Sequence, residues 1–519
     1  MLRLRRPCFT SALTIPATCA THSAMILADL IDRQPAKAIA LLAPGQAPFS
    51  YGAFASLCSR IAGDLAGRGL TGGTLAMVLP NGPDMAASFV ACSSIMTAAP
   101  FNPGYKEDEF HFYMDDVKCD ALLVEAGSTS PAITAALRLG IPVLHLQPGE
   151  MAGDFSLAGP ASVADLKRKG DAALVLHTSG TTSRPKIVPL SHGNLLASAH
   201  NIVKTLRLER VDRCLNIMPL FHIHGLVAAV LASLAAGASV CCSPGFNALK
   251  FFGWMDEAKP TWYTAVPTMH QAILSRAARN GDAIAKNPLR FIRSSSASLP
   301  APVFAELEQA FGCPVIEAYA MTENAHQMTS SQLPPGLRKA GFVGCAAGPE
   351  VRIMSPNGKL LGANVEGEIV TRGANVTAGY VNNPKANGEA FAHGWFHTGD
   401  QGFMDEDGYL KMTGRLKEII NRGGEKISPP EVDDVLLEHP AVLQAVSFAM
   451  PHDKLGEDVA AAVVLREGTA ATERELRDHA AKTLADFKVP RRILIVAEIP
   501  KGATGKLQRI GLAAKLGLA

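Results

Sequence analysis

The 519-residue sequence predicts an α/β protein: a large N-terminal domain of parallel-rich sheets covered by helices, and a small α+β C-terminal domain. Single hydrophobic cores stop growing at about 250–300 residues, so a chain of this length divides into lobes. From Ile26 onward, short apolar runs alternate with segments of helical spacing, the pattern of strand–helix units. Near Gly414-Arg415 the composition changes, and a charged stretch of about 100 residues follows with its own pattern. The expected divisions are a tail or targeting segment over 1–25, a large domain over 26–415 and a small domain over 416–519.

Residues 1–25 carry Arg3, Arg5 and Arg6 with several Ser and Thr, and the first acidic residue is Asp29. That composition suits an organellar transit peptide. The alternative is a loose tail with the true start at Met25. Residues 53–66 have apolar positions at helical spacing, ended by Gly67, Gly69 and Gly72. Residues 74–79 read as a short strand stopped by Pro80-Asn81-Gly82, 85–96 as an apolar helix, and 121–124 as another strand. The apolar run 226–240 is too short for a membrane span and is broken by Gly237, so it predicts a buried helix followed by a strand. Beyond residue 415 the pattern predicts helix 431–437, strands 441–449 and 460–465, helix 473–484 and strand 492–496.

Composition narrows the function. Hydrophobic residues make up 48% and charged residues 18%, which excludes disorder as the dominant state. Lys plus Arg is 49 and Asp plus Glu is 47, and the net charge of +2 argues against a nucleic-acid partner. The ten cysteines are scattered without CxxC or zinc spacing, and read as buried, reduced thiols. The expected location is cytoplasmic, or mitochondrial if 1–25 is a transit peptide. The ending Lys515-Leu-Gly-Leu-Ala519 is not a peroxisomal signal.

The sharpest local signal follows an apolar run: Thr178, Ser179, Gly180, Thr181 and Thr182, then Pro185-Lys186. Small hydroxyl residues around a glycine let backbone N–H groups and hydroxyls converge on phosphate oxygens. Lys186 supplies a mobile point charge for them. This is not the GxxxxGK[ST] loop. Standing alone, the run would be an ordinary Ser/Thr-rich turn.

It does not stand alone. Pro219-Leu-Phe-His-Ile-His-Gly225, Tyr319-Ala-Met-Thr-Glu323, Trp395-Phe-His-Thr-Gly-Asp400, Gly414-Arg415-Leu-Lys417, Gly423-Gly-Glu-Lys426 and Gly502-Ala-Thr-Gly-Lys506 follow in order. With them, the chain over 26–509 resembles the adenylate-forming superfamily of acyl-CoA synthetases, 4-coumarate ligases and luciferases. The resemblance implies a two-step reaction. A carboxylate attacks the α-phosphate of ATP, giving an acyl adenylate and pyrophosphate; the thiol of coenzyme A then displaces AMP. The first step sets an anion against a polyanion, so Mg²⁺ and cationic donors are expected.

The same resemblance implies the roles. Lys506 would touch both carboxylate and phosphate, with Lys186, Thr322, Glu323 and His222 as further catalytic groups. Glu323 and Thr181 would hold the metal. The nucleotide would lie on Thr178–Thr182, with Ser296, Ala297 and Ser298 shaping the adenine slot, Tyr319 stacking there, and Asp400 and Arg415 at the ribose. A mobile small domain would turn about Lys417 between half-reactions, with Gly423 and Gly424 facing coenzyme A. The expected partners are a small carboxylic acid, ATP and coenzyme A, with no nucleic acid and no membrane span. Oligomeric state is not legible.

For the acid, the pocket segments offer His222, His224, Ser294, Ser296, Asn324, His326 and Gln327, where a fatty-acid or cinnamate pocket would be small and apolar. Burying a second carboxylate unpaired is costly, and His and Ser donors suit it. Residues 319–328 and 421–429 resemble the oxalate–CoA ligases of plants and fungi. Oxalate is the first expectation and malonate the second, with the second carboxylate held by His326 and Ser296 and by His222 or His224 opposite. Another short-chain or aryl acid, a carrier-loading adenylation enzyme acting in trans, and a non-catalytic nucleotide-binding relative are the alternatives.

Overall fold

A computed structural model describes residues 25–160, 171–178, 185–500 and 507–518. Two large sheets dominate. The nine-stranded sheet runs Cys345–Ala346, His326–Ser330, Val315–Met321, Phe291–Ser295, Trp262–Ala265, Arg213–Asn216, Ser239–Cys242, Ile39–Leu42, Phe49–Ser50. Its inner pairs, from Val315–Met321 to Ile39–Leu42, are parallel, and antiparallel strands close both edges. The seven-stranded sheet is likewise parallel in the centre: Phe155–Ala158, Val143–Pro148, Ala121–Glu125, Thr74–Val78, Thr97–Pro100, Ala172–Thr178, Lys186–Ser191. Parallel strands need both faces covered, and every residue of Thr74–Val78 is buried.

Helices supply the cover. Tyr51–Gly67 is capped by Ser50, whose hydroxyl accepts from the Ala53 N–H at 3.2 Å, and it buries Tyr51, Phe54, Leu57, Cys58, Ile61 and Leu65 as one stripe. The helix expected over 85–96 is Pro83–Cys92: Pro83 takes the first turn, and the Ser93 and Ser94 hydroxyls turn back onto the Val90 carbonyl where it ends. The apolar run after residue 226 holds a buried π-helix, His224–Leu231, then helix Ala232–Ala235 and strand Ser239–Cys242. Gly225 is required there, because a Cβ would lie 2.5 Å from the Pro219 carbonyl oxygen. Among the described residues no helix is long and apolar enough to cross a membrane.

A four-stranded antiparallel sheet follows, Glu350–Met354, Gly367–Arg372, Phe396–Met404, Leu410–Arg415. The chain then enters a separate five-stranded sheet at Ile420–Arg422. There Gly456–Leu465 pairs with Val442–His452 and Arg492–Ile495, and helices Pro429–Leu437 and Glu473–Ala480 close a core of Ile420, Val432, Leu436, Val459, Val463, Leu476 and Ile493. Seven cysteines, Cys58, Cys92, Cys119, Cys214, Cys241, Cys242 and Cys313, are buried and form no disulfide. Cys345 is disulfide-bonded, so the expectation of reduced thiols fails there.

One buried carboxyl makes stability depend on pH. Glu317 lies in Val315–Met321, 4% exposed, and its Oε2 has no partner among the described residues. Burial, with Asp434 of the small domain adding repulsion, pushes its pKa from 4.5 to about 8. A raised carboxyl pKa means the folded state binds the proton more tightly. Its stabilising contribution is therefore full below about pH 4.5 and is lost as pH rises through 8. Wild-type unfolding free energy should fall by at most about 1.4 kcal/mol per pH unit from this group, and Glu317→Gln should remove that slope. Urea titrations at pH 5 to 9 check it; parallel slopes for the two proteins would refute it.

Candidate active site

Lys186 and Glu323 meet through a residue the motifs did not single out. Strands Ala172–Thr178 and Lys186–Ser191 pair antiparallel, with Thr178 opposite Lys186 and the Thr178 hydroxyl 3.5 Å from the Lys186 carbonyl oxygen. The intervening Ser179, Gly180, Thr181 and Thr182 lie outside the described residues. Lys186 Nζ sits 4.4 Å from the centre of the Tyr380 ring. The Tyr380 hydroxyl in turn donates to Glu323 Oε1 at 2.9 Å. Thr322 and Glu323 share a single 3₁₀ turn, Thr322–Asn324, pinned by the Thr377 N–H on the Glu323 carbonyl oxygen at 2.7 Å. Burial raises the Glu323 pKa, while the Tyr380 hydrogen bond and the charges of Lys186 and Arg415 pull it back.

Asp400 and Arg415 form the second cluster. They are opposite each other across strands Phe396–Met404 and Leu410–Arg415, and Arg415 Nε donates to Asp400 Oδ1 at 2.7 Å. The Tyr319 hydroxyl donates to the other oxygen of the fully buried Asp400. This carboxylate raises the Arg415 pKa, and burial raises that of Tyr319. Ser295 pairs with Ala318, so the loop bearing Ser296, Ala297 and Ser298 leaves the sheet beside Tyr319. Both segments lie at the carboxyl ends of parallel strands, where open α/β sheets bind ligands.

Histidines form the third. His224 is fully buried, with Nδ1 3.0 Å from Ser296 Oγ and Nε2 2.6 Å from Thr264 Oγ1. The His326 ring lies 4.9 Å from the His224 ring, centre to centre. Half-buried His222 holds the backbone of the same turn, its Nδ1 accepting from the His224 N–H at 3.2 Å. Three non-glycine residues here have positive φ: Ser296 at 74°, Ala325 at 45° and His326 at 98°. Strain of this kind concentrates at functional sites.

Ser294 stands inside the strand rather than in the loop after it. Side chains alternate along a strand, so Ser294 lies on the opposite face from Arg293, paired with Ala265 and Glu317. Its hydroxyl has no partner among the described residues. Asn324 turns its side-chain carbonyl to the Thr371 hydroxyl at 2.9 Å.

Lys417 is exposed in the turn between the four-stranded sheet and the small domain, where the Glu418 N–H donates to the Arg415 carbonyl oxygen at 2.7 Å. Gly423 and Gly424 form the two-residue turn between Ile420–Arg422 and Glu425–Ile427, with φ of 59° and 102°. A turn with two positive φ values already selects for glycine. Lys506 lies outside the described residues. No group of three metal-ligating side chains occurs among the described residues.

Comparison with known proteins now fits onto this geometry. The AMP-binding enzyme family matches residues 28–381, and the AMP-binding enzyme C-terminal domain matches 431–506. An oxalate–CoA ligase of Arabidopsis thaliana is 46% identical over 449 residues, 84% of this chain and 87% of that protein. An oxalate–CoA ligase of Saccharomyces cerevisiae is 41% identical over 470 residues, 84% of this chain and 85% of that protein. Crystalline ATP-bound MatB from Rhodopseudomonas palustris superposes with a TM-score of 0.85 at 28% identity, over 94% of this chain and 98% of that one. With its two-domain α/β architecture and paired family matches, the chain belongs to the AMP-binding enzymes and is an acid–CoA ligase of that family.

Proposed function

We propose that the enzyme joins oxalate to coenzyme A, consuming ATP and releasing AMP and pyrophosphate. The observation that carries the substrate is the polar cluster of buried His224 and His326 with part-buried Ser296, where an apolar acid would need an apolar wall. The names of the two similar ligases support it. One carboxylate of oxalate reacts; the other stays anionic and accepts hydrogen bonds from Ser296 and His326.

In this reading residues 26–415 form the AMP-binding domain and 416–519 a lid. Lys186 and the Thr178–Thr182 segment hold the phosphates of ATP. A magnesium ion fits beside Glu323, because Mg²⁺ commonly takes one or two carboxylates and completes its shell with phosphate oxygens and water. When bound it neutralises charge on the phosphates. Asp400 accepts the ribose hydroxyls while Arg415 fixes its orientation. Tyr319 and the 296–298 loop border the adenine. Lys506 bridges the attacking carboxylate and the α-phosphate, Lys417 is the pivot, and Gly423-Gly424 faces the pantetheine arm. Seven buried cysteines without disulfides support a reducing, cytoplasmic location, and the Cys345 disulfide weighs against it; a mitochondrial address would reside in 1–25.

The test is coenzyme-A-dependent AMP formation with oxalate, malonate, hexanoate and 4-coumarate. Oxalate should exceed malonate by about tenfold or more in kcat/KM, as a site shaped for one dianion discriminates by at least one well-made contact. Efficient turnover of hexanoate or 4-coumarate without oxalate activity would refute the reading.

A further inference from the structure

The geometry points to Arg293 as a positioning and specificity residue: a buried cation that acts through Thr264 and His224 to make Ser296 a donor to the second carboxylate of a dianionic acid. It rests on the dicarboxylate reading above. Arg293 lies mid-strand in Phe291–Ser295, in the interior of the nine-stranded sheet, with no exposed surface. Its Nη1 is 3.5 Å from Thr264 Oγ1 and its Nη2 3.3 Å from Gln327 Oε1; Nε has no partner among the described residues. Both partners are neutral. Burial lowers its pKa to about 9, which leaves it protonated at neutral pH. Among the described residues no carboxylate pairs with it.

Stability gives no reason for such a group. A buried guanidinium without a counter-ion costs several kcal/mol, and an apolar residue between Ile292 and the sheet neighbours would cost nothing comparable. Function does give one, because the guanidinium biases hydrogen-bond direction. Guanidinium only donates, so Thr264 Oγ1 accepts from Arg293 on one lone pair, and its own proton is free to turn toward His224 Nε2, 2.6 Å away. Nδ1 of His224 then carries the ring proton and donates to Ser296 Oγ at 3.0 Å. Ser296, part-buried, is left to donate outward. Gln327 is oriented to match: its Nε2 donates to Thr205 Oγ1 and the Ala347 carbonyl oxygen, both at 3.1 Å, which leaves Oε1 for Arg293. The relay delivers a donor, and the charge behind it favours two negative charges over one.

The experiment compares Arg293→Met, Arg293→Lys and Thr264→Val with wild type, reading KM for oxalate, acetate and ATP, and the urea midpoint. Arg293→Met should raise KM for oxalate about tenfold or more, the loss expected of a charge-assisted network. KM for ATP should stay within about twofold, acetate should be less affected than oxalate, and the urea midpoint should hold or rise. Arg293→Lys should recover part of the oxalate KM. Thr264→Val should reproduce the oxalate effect with the charge still present, which keeps the idea testable if Arg293→Met does not fold. An oxalate KM within about twofold of wild type in Arg293→Met or Thr264→Val overturns the inference alone. So does a parallel rise in both KM values with a lower midpoint, since that marks a merely structural arginine. Wild type without oxalate turnover overturns the proposed function, and this inference with it.

Discussion

Glu323→Gln is expected to slow adenylate formation by about 10²–10³-fold, the loss typical of removing one preorganised electrostatic contact at developing charge. Glutamine keeps the shape and still offers an oxygen to the Tyr380 hydroxyl, so the 3₁₀ turn Thr322–Asn324 should survive. What disappears is a negative charge, only 6% exposed, that faces Lys186 and would anchor the metal. Burial already disfavours that charge, so the variant should be no less stable than wild type by urea unfolding. Pyrophosphate release with ATP and oxalate measures the effect. Near-wild-type release from a folded variant would remove Glu323 from the chemistry.

Asp400→Ala should combine a large stability loss with a large increase in KM for ATP. Its carboxylate is fully buried and receives Arg415 Nε and the Tyr319 hydroxyl. Breaking a wholly buried pair costs about 3–5 kcal/mol. Here 45% of the Arg415 side chain is exposed and water can take over that partner, so about 2–3 kcal/mol is the better expectation. Asp400→Asn restores the shape without the charge and should recover most of the stability but not the ATP affinity. If both variants bound ATP normally, the ribose role would be lost.

Much of this was legible because the motifs are local. Thr178, Glu323 and Asp400 each sit within a run whose neighbours prescribe a turn or a strand end. Strand–helix alternation likewise exposed the parallel sheets. Tyr380 was not legible: it reaches Glu323 across 57 positions, and one tyrosine after Gly379 has no periodicity to betray it. Arg293 had a signal, a charge inserted into an apolar strand between Ile292 and Ser294, but only the register opposite Thr264 shows what it faces. The face that Ser294 occupies had no signal either. A run of serines looks uniform in sequence, whereas a strand sends successive side chains to opposite faces.

The hairpin that ends at Arg415 sets a mechanical limit on the small domain. Arg415 is the last paired residue of the four-stranded sheet, and Ile420 is the first residue of the next sheet. Any swing must therefore be absorbed over residues 416–419, which hold only eight soft torsions, two per residue. It must also release the Glu418 and Ile419 N–H groups from the Arg415 carbonyl and the Ser428 hydroxyl from the Thr413 carbonyl. None of these belongs to the Asp400–Arg415 side-chain contact. In the proposed cycle the pivot lies downstream of the Asp400–Arg415 contact, so the small domain could turn while that contact, and a ribose held by it, stays in place.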